Sequence, residues 1–249
     1  MRLAAISLIC VSALALGAGQ PRTFTIGVED LQYYPLHTID AANEYRGYAR
    51  EVLDLFAHQQ GYQFHYVPLP INRLYLAFLQ DGSVDFKYPD NPKWKPELRG
   101  ARRVRYSAAV VTSEEGAMVL PRQRGRPFSQ LRTLGTALGF TPWPYLSAIE
   151  SKTVVLTTAS GFDGLLRHAL AAHLDAVYVN VDVANYLLAE AKLPGALVFD
   201  PGLPHARSDF SLATLRYPQV LAEFDQFLRR EQVQLQKLRK KYGIEERGP

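Results

Sequence analysis

Phe24, Ile26 and Val28 alternate with Thr25 and Gly27, the period of two that marks a strand with one buried face. The period then changes: Tyr48, Val52, Leu55 and Phe56 recur at helical spacing, and Gly61 closes that segment. Tyr62, Phe64 and Tyr66 alternate again in a second strand that ends at Pro68. A short helix carries Leu74, Tyr75 and Phe78, and a compact strand is centred on Val84-Asp85-Phe86. This βαβαβ order predicts a parallel sheet with covering helices.

Ala108 to Thr112 and Gly116 to Leu120 predict two further strands, followed by a basic connector from Pro121 to Pro127. A second α/β series then begins, with Val154-Val155-Leu156 as a strand and Phe162 to Ala172 as a helix. Ala176 to Val179 predicts a strand, Val183 to Ala191 a helix, and Phe210 to Leu215 a returning strand. Helices from Pro218 to Arg230 and from Val233 to Tyr242 finish the chain. Two α/β units joined by strand-like connectors predict two lobes that move about a hinge. Ligands of open α/β sheets sit beyond the carboxyl ends of the strands, so the cleft between the lobes is the expected site.

Composition alters this picture mainly at the start of the chain. Met1-Arg2, an apolar run from Leu3 to Leu16 and the small residues Gly17-Ala18-Gly19 have the layout of a cleaved secretory leader over residues 1–19. The expected location is therefore periplasmic. The single cysteine, Cys10, falls inside that leader, and Ile9 before it is not the small residue a lipoprotein signal wants. The mature chain is expected to have no thiol, which excludes disulfides, thiolate metal sites and a cysteine nucleophile. The net charge of +4 is spread along the chain, so no nucleic-acid partner is expected.

Nothing in the sequence advertises catalysis. Ser160-Gly161 lacks the glycine of a nucleophile elbow. His168 and His173, five apart on a predicted helix, diverge and do not make a zinc pair. His37, His58, His65 and His205 are scattered, with surface or satisfied packing roles. No catalytic residue, metal or cofactor is expected, and the protein is read as a binder rather than an enzyme.

An ordered set of short matches carries a resemblance. It comprises Tyr45-Arg46-Gly47-Tyr48-Ala49-Arg50-Glu51-Val52-Leu53, Gly61-Tyr62, Gly82-Ser83-Val84-Asp85 and Pro96-Glu97-Leu98-Arg99 with Tyr106-Ser107. Leu174-Asp175-Ala176 and Lys240-Lys241-Tyr242-Gly243 complete it. Across nearly the whole mature chain this set resembles family 3 of the bacterial extracellular solute-binding proteins. The resemblance implies a periplasmic-binding-protein-like type II α/β fold, with two lobes joined by a hinge and a ligand cleft between them. Lobe 1 would comprise residues 20–120 plus 209–249, and lobe 2 residues 121–208. It further implies a monomer that closes on a small-molecule ligand, commonly an amino acid, for an inner-membrane transporter of the ABC type or a sensor receptor. A dehydratase-like enzyme is the remaining alternative on this fold.

The resemblance also implies site residues. Arg99 matches the arginine whose fork holds a ligand carboxylate. The acidic residue that takes an α-ammonium is replaced by Asn180, an amide without countercharge. Tyr88, Asp90 and Trp94 belong to a side-chain-rich loop in place of a small hydroxyl-bearing one, and Thr141 and Trp143 to the second lobe's anion loop. From the residues themselves, Tyr33 and Tyr34 follow the first strand as candidate ring partners for a ligand. Arg73 begins the second helix as a candidate anion contact. Glu29 and Asp30 either meet a cationic group or stay solvated. The expected ligand is a small molecule with an anionic or aromatic part.

Overall fold

The computed structural model describes residues 21–244, so the expected leader with Cys10 lies outside the described residues. Eight strands form one long sheet in the order β4 (Tyr62–Leu69), β1 (Arg22–Glu29), β5 (Phe86–Asp90), β11 (Ala206–Thr214), β6 (Arg105–Val119), β9 (Ala176–Asn180), β7 (Thr133–Ala137), β8 (Val155–Ala159). In its first half β1 (Arg22–Glu29) runs parallel to both β4 (Tyr62–Leu69) and β5 (Phe86–Asp90). In its second half β7 (Thr133–Ala137) runs parallel to β8 (Val155–Ala159) and β9 (Ala176–Asn180). Two strands cross between the halves, β6 (Arg105–Val119) and β11 (Ala206–Thr214), paired antiparallel. At about 3.3 Å per residue β6 is roughly 50 Å long, enough to serve both halves. β10 (Val198–Phe199) pairs with the end of β6, and β2 (Thr38–Ile39) with β3 (Tyr45–Arg46) forms a small separate hairpin.

The helices follow the apolar stripes. α1 (Tyr48–Gln60) buries Tyr48, Ala49, Val52, Leu53 and Phe56 on one face. It ends at Gly61 in the left-handed region (φ 68°), which a residue with a Cβ adopts at a cost. α2 (Ile71–Leu76) runs into a wider π turn over Ala77–Asp81, and α3 (Pro96–Arg99) is a single turn. The second half carries α4 (Leu146–Glu150), α5 (Phe162–Leu170) and α6 (Val181–Glu190). The last helices, α7 (Pro218–Arg230) and α8 (Gln232–Lys241), return to the first half. Phe224 there packs on Phe56 at 4.9 Å, and the Tyr242 hydroxyl donates to Glu51 at 2.5 Å.

Several sequence expectations need correction. The two strands expected at 108–112 and 116–120 are one: Ser113, Glu114 and Glu115 stay in the ladder opposite Ser208, Arg207 and Ala206. The third strand begins at Phe86, not Val84, and continues through Tyr88-Pro89-Asp90, so these residues are strand rather than loop. Pro89 is tolerated there because the pairing with β11 shifts register between Ser211 and Ala213, which relieves a ladder bond. β7 was not expected, since Thr133-Leu134-Gly135-Thr136-Ala137 is too small and weakly alternating to stand out. Its place is nonetheless tightly constrained: a Cβ on Gly135 would lie 2.7 Å from Leu174. His168 and His173 do not diverge. The helix stops at Leu170, Ala172 turns back with φ 59°, and the two rings meet edge-on at 5.9 Å.

Candidate functional site

β1 and β5 end beside the crossing of β6, facing the loop that follows β7. A cavity opens there, lined by Glu29, Ile71, Tyr75 and Trp94 from the first half, by Glu115 of β6, and by Gly139, Phe140 and Thr141 from the second. It holds about 280 Å³ counted to the open mouth, of which about one water's worth is fully clear of the walls. The halves are therefore drawn closely together.

The contacts that close them are specific. The Tyr33 hydroxyl accepts the Asn180 backbone N–H at 3.1 Å, and the Tyr33 ring lies 5.5 Å from Phe140 and 5.6 Å from Phe162. Tyr34 packs on Tyr186 of α6 at 4.5 Å, and the Lys93 ammonium sits 4.5 Å over the Trp143 ring. Gly139 (φ 93°) approaches so closely that an added Cβ would stand 2.9 Å from Ile71 Cβ and 3.2 Å from the Asn72 side-chain oxygen.

Behind the cavity lies a buried ionic network. Asp90, fully buried, accepts from Arg99 Nη1 at 3.1 Å and Nη2 at 2.9 Å, a bidentate fork. Arg99 Nη2 also donates to the carbonyls of Asn91 (2.9 Å) and Trp94 (3.0 Å). Lys87, equally buried, donates to Pro89 O at 2.5 Å and to Asp90 at 3.3 Å, with its ammonium 4.3 Å over the Tyr75 ring. Tyr75 donates its hydroxyl to the same carboxylate at 3.3 Å. The Asp90 carboxylate thus fills the Arg99 fork that the sequence resemblance assigned to a ligand carboxylate.

The acids on the cavity wall behave differently. Burial pushes Glu29 up to about 7, against the pull of Lys87 and with the push of Asp90 and Glu115. Glu115 is also raised to about 7 by burial, although Ser208 donates to its Oε2 at 2.6 Å. Its Oε1 is buried and makes no well-formed hydrogen bond, although the Tyr178 hydroxyl stands close enough to pull the Glu115 pKa down. His37 faces Glu29 at 3.7 Å with both ring nitrogens unpartnered. Burial, reinforced by Lys87, pushes its pKa down to about 3, so it is neutral.

Of the sequence candidates, Trp94 and Thr141 line the cavity. Tyr33, Tyr34 and Trp143 lie in the seam that closes it, and Asp90 and Arg99 in the network behind it. Tyr88 is buried in β5 with an unpartnered hydroxyl, and Arg73 is exposed on α2. Asn180 is the N-cap of α6, its Oδ1 accepting from Asp182 N (2.9 Å) and Val183 N (3.1 Å). Asp30 is exposed, whereas Glu29 is buried rather than solvated, and His37 is neither at the surface nor satisfied. Sequence reasoning passed over Lys87 and Glu115. A charged residue at an inward position of a strand was the available signal for both. Among the described residues no group of three or more His, Cys, Asp or Glu is placed to hold a metal.

No protein-family model matches the chain, and no curated protein matches it. Solved structures do. An ancestral arginine-binding protein bound to arginine superposes with TM-score 0.71 at 14% identity, covering 90% of this chain and 99% of that one. A histidine kinase sensor domain with similarity to periplasmic binding proteins gives 0.70 at 19% identity, covering 90% and 96%. An ancestral amino acid-binding protein, a precursor of cyclohexadienyl dehydratase, gives 0.68 at 20% identity, covering 88% and 95%. At these identities the likeness is one of fold: a two-lobe α/β periplasmic-binding-protein-like scaffold with a hinge.

Proposed function

We propose that this chain is an exported solute-binding protein of the family 3 type, released to the periplasm from a leader over residues 1–19. It captures a small polar molecule between lobes comprising residues 20–120 plus 209–249 and residues 121–208, and hands it to an inner-membrane transporter. One observation carries the reading: a cavity at the strand ends, beside the two crossing strands, is lined from both halves of the sheet, by Glu29, Tyr75 and Trp94 on one side and Phe140 and Thr141 on the other, with Glu115 of β6 between them. Closing the seam through Tyr33, Tyr34 and Trp143 excludes water, which strengthens every charged contact inside. Delivery to a sensor receptor uses the same closing step, and the likeness to a kinase sensor domain supports that variant equally.

The test is a thermal-shift screen of the mature protein against amino acids, amines, organic acids and aromatic metabolites, followed by calorimetry. Ligands that bind the folded state raise its melting temperature. A compound consumed without a stable complex would replace binding by catalysis. That second reading has one specific support, two cavity carboxyls held at about 7, where general acid and base groups work best.

A further inference from the structure

The cations near the cavity are already committed. Arg99 spends both terminal nitrogens on Asp90 and on two backbone carbonyls, and Lys87 is divided between Pro89 O and Asp90. A ligand carboxylate would have to displace Asp90 from a buried bidentate pair to gain the same contact. The acids on the wall are not committed in this way. Glu29 and Glu115 both line the cavity, and Glu115 Oε1 is a fully buried acceptor that makes no well-formed hydrogen bond, with the equally unpaired Tyr178 hydroxyl as its neighbour. A buried acceptor left unpaired is costly, and a ligand N–H that reaches it removes the cost.

The charge balance points the same way. With all groups ionised, Lys87, Arg99, Asp90, Glu29 and Glu115 together carry a single net negative charge, and His37 is neutral. One monovalent cation restores neutrality. The remaining walls are Gly139, Thr141, Ile71 and the rings of Tyr75, Trp94 and Phe140, and the rings suit an apolar or aromatic body and favour a cation over their faces.

We infer that the cleft takes a small organic ammonium ion that carries no carboxylate, such as an alkylamine or arylalkylamine, with its nitrogen held between Glu29 and Glu115. The inference rests on the binding-protein reading and names its ligand class. An ammonium ion stabilises the ionised form of both acids, so binding releases protons and affinity rises with pH through about 7. The groups facing Glu29 are His37, Lys87, Asp90, Glu115 and the hydroxyls of Tyr33, Tyr45, Tyr75 and Tyr88, and those facing Glu115 are Tyr33, Tyr178 and Glu114, with Ser208 bonded to it. Of these, His37 is neutral throughout that range.

The test is calorimetry on the mature protein with pairs of compounds that differ only by a carboxylate: phenethylamine and phenylalanine, isoamylamine and leucine, agmatine and arginine. 3-Phenylpropanoate serves as the carboxylate without an amine. The expected result is that at least one amine binds about tenfold or more tighter than its parent amino acid. Glu115→Gln should weaken that amine by about tenfold or more and flatten the rise of affinity with pH. Glu29→Gln provides a second variant with the same expected direction, and each variant's melting curve reports whether it is folded. If the parent amino acids or phenylpropanoate bind as tightly as the amines, Asp90 gives way to ligand carboxylates. The amine inference then falls while the binding reading stands. If an amine binds but neither glutamine variant weakens it, the assignment of its nitrogen to these acids is wrong. If no compound of any class binds, the binding reading fails and takes the inference with it.

Discussion

Replacing Asp90 by alanine removes the one carboxylate shared by two buried cations. Lys87 is fully buried and the Arg99 side chain is about nine-tenths buried, so solvent screens neither group much after the change. Removing one partner from such a pair costs about 3–5 kcal/mol, because the surviving charge stays desolvated. Arg99 keeps its bonds to the carbonyls of Asn91 and Trp94, and Lys87 its bond to Pro89 O, which places the expected loss toward the lower end. For a chain of this size each kcal/mol moves the melting temperature by about 2–4 °C, so a loss of about 3 kcal/mol appears as roughly 6–12 °C. The assay is thermal unfolding followed by circular dichroism at neutral pH, in chloride and in acetate. Acetate is the missing carboxylate in soluble form, and it should recover part of the loss in Asp90→Ala while leaving the parent protein unchanged. A loss below about 1 kcal/mol would refute the reasoning, since exposed ion pairs are worth that little. Arg99 would then be solvated and open to a ligand carboxylate.

Stability should also depend on pH in an unusual direction. Glu29 and Glu115, each raised from 4.5 to about 7, contribute stability that is complete below 4.5 and is lost as pH rises through 7, by up to about 3 kcal/mol each. His37, lowered from 6.5 to about 3, acts oppositely and costs stability as pH falls below 6.5. Urea unfolding should therefore give higher stability near pH 5 than near pH 8, and a flat or reversed profile would count against these buried acids. Gly139→Ala places a methyl against Ile71 on a backbone of φ 93°, so the lobes should close less fully. Small-angle scattering of the ligand-saturated variant should give a larger radius of gyration, with affinity weakened about tenfold; an unchanged affinity would contradict the closure described for this seam. Asn180→Ala removes the α6 cap and should cost about 1 kcal/mol in denaturant unfolding, whereas Asn180→Asp keeps an acceptor at the helix start and should lose less.

Periodicity in the sequence was enough to place β1, α1, β4 and α7, whose apolar residues repeat at the element's own period, while β9, buried throughout, was found as a short unbroken apolar run. Their order also carried the α/β class and the two-part organisation, since βαβ units admit few arrangements. The failures have a common cause. β7 is built mostly from small residues buried by other parts of the chain, Gly135 under Leu165 and Leu174 and Leu134 among Val119, Tyr145 and Tyr178, so its own segment shows little pattern. Ser113-Glu114-Glu115 looked like a break between strands, yet it holds the ladder because β11 lies opposite and Ser208 donates to Glu115.

The candidate site was legible only as a neighbourhood. Trp94 and Thr141 were picked out by the loops they belong to, but the pairing of Asp90 with Arg99 was not seen, because the two are nine positions apart and meet only when β5 and α3 fold together. Glu29, Lys87, Asp90, Arg99 and Glu115 are ordinary charged residues in the sequence. Burial couples them into one candidate site, by removing the water that would otherwise screen each from the others. Local sequence determined which segments form strands and helices and in what order. The tertiary structure decided which charges face each other without solvent, because that depends on contacts between residues far apart in the chain.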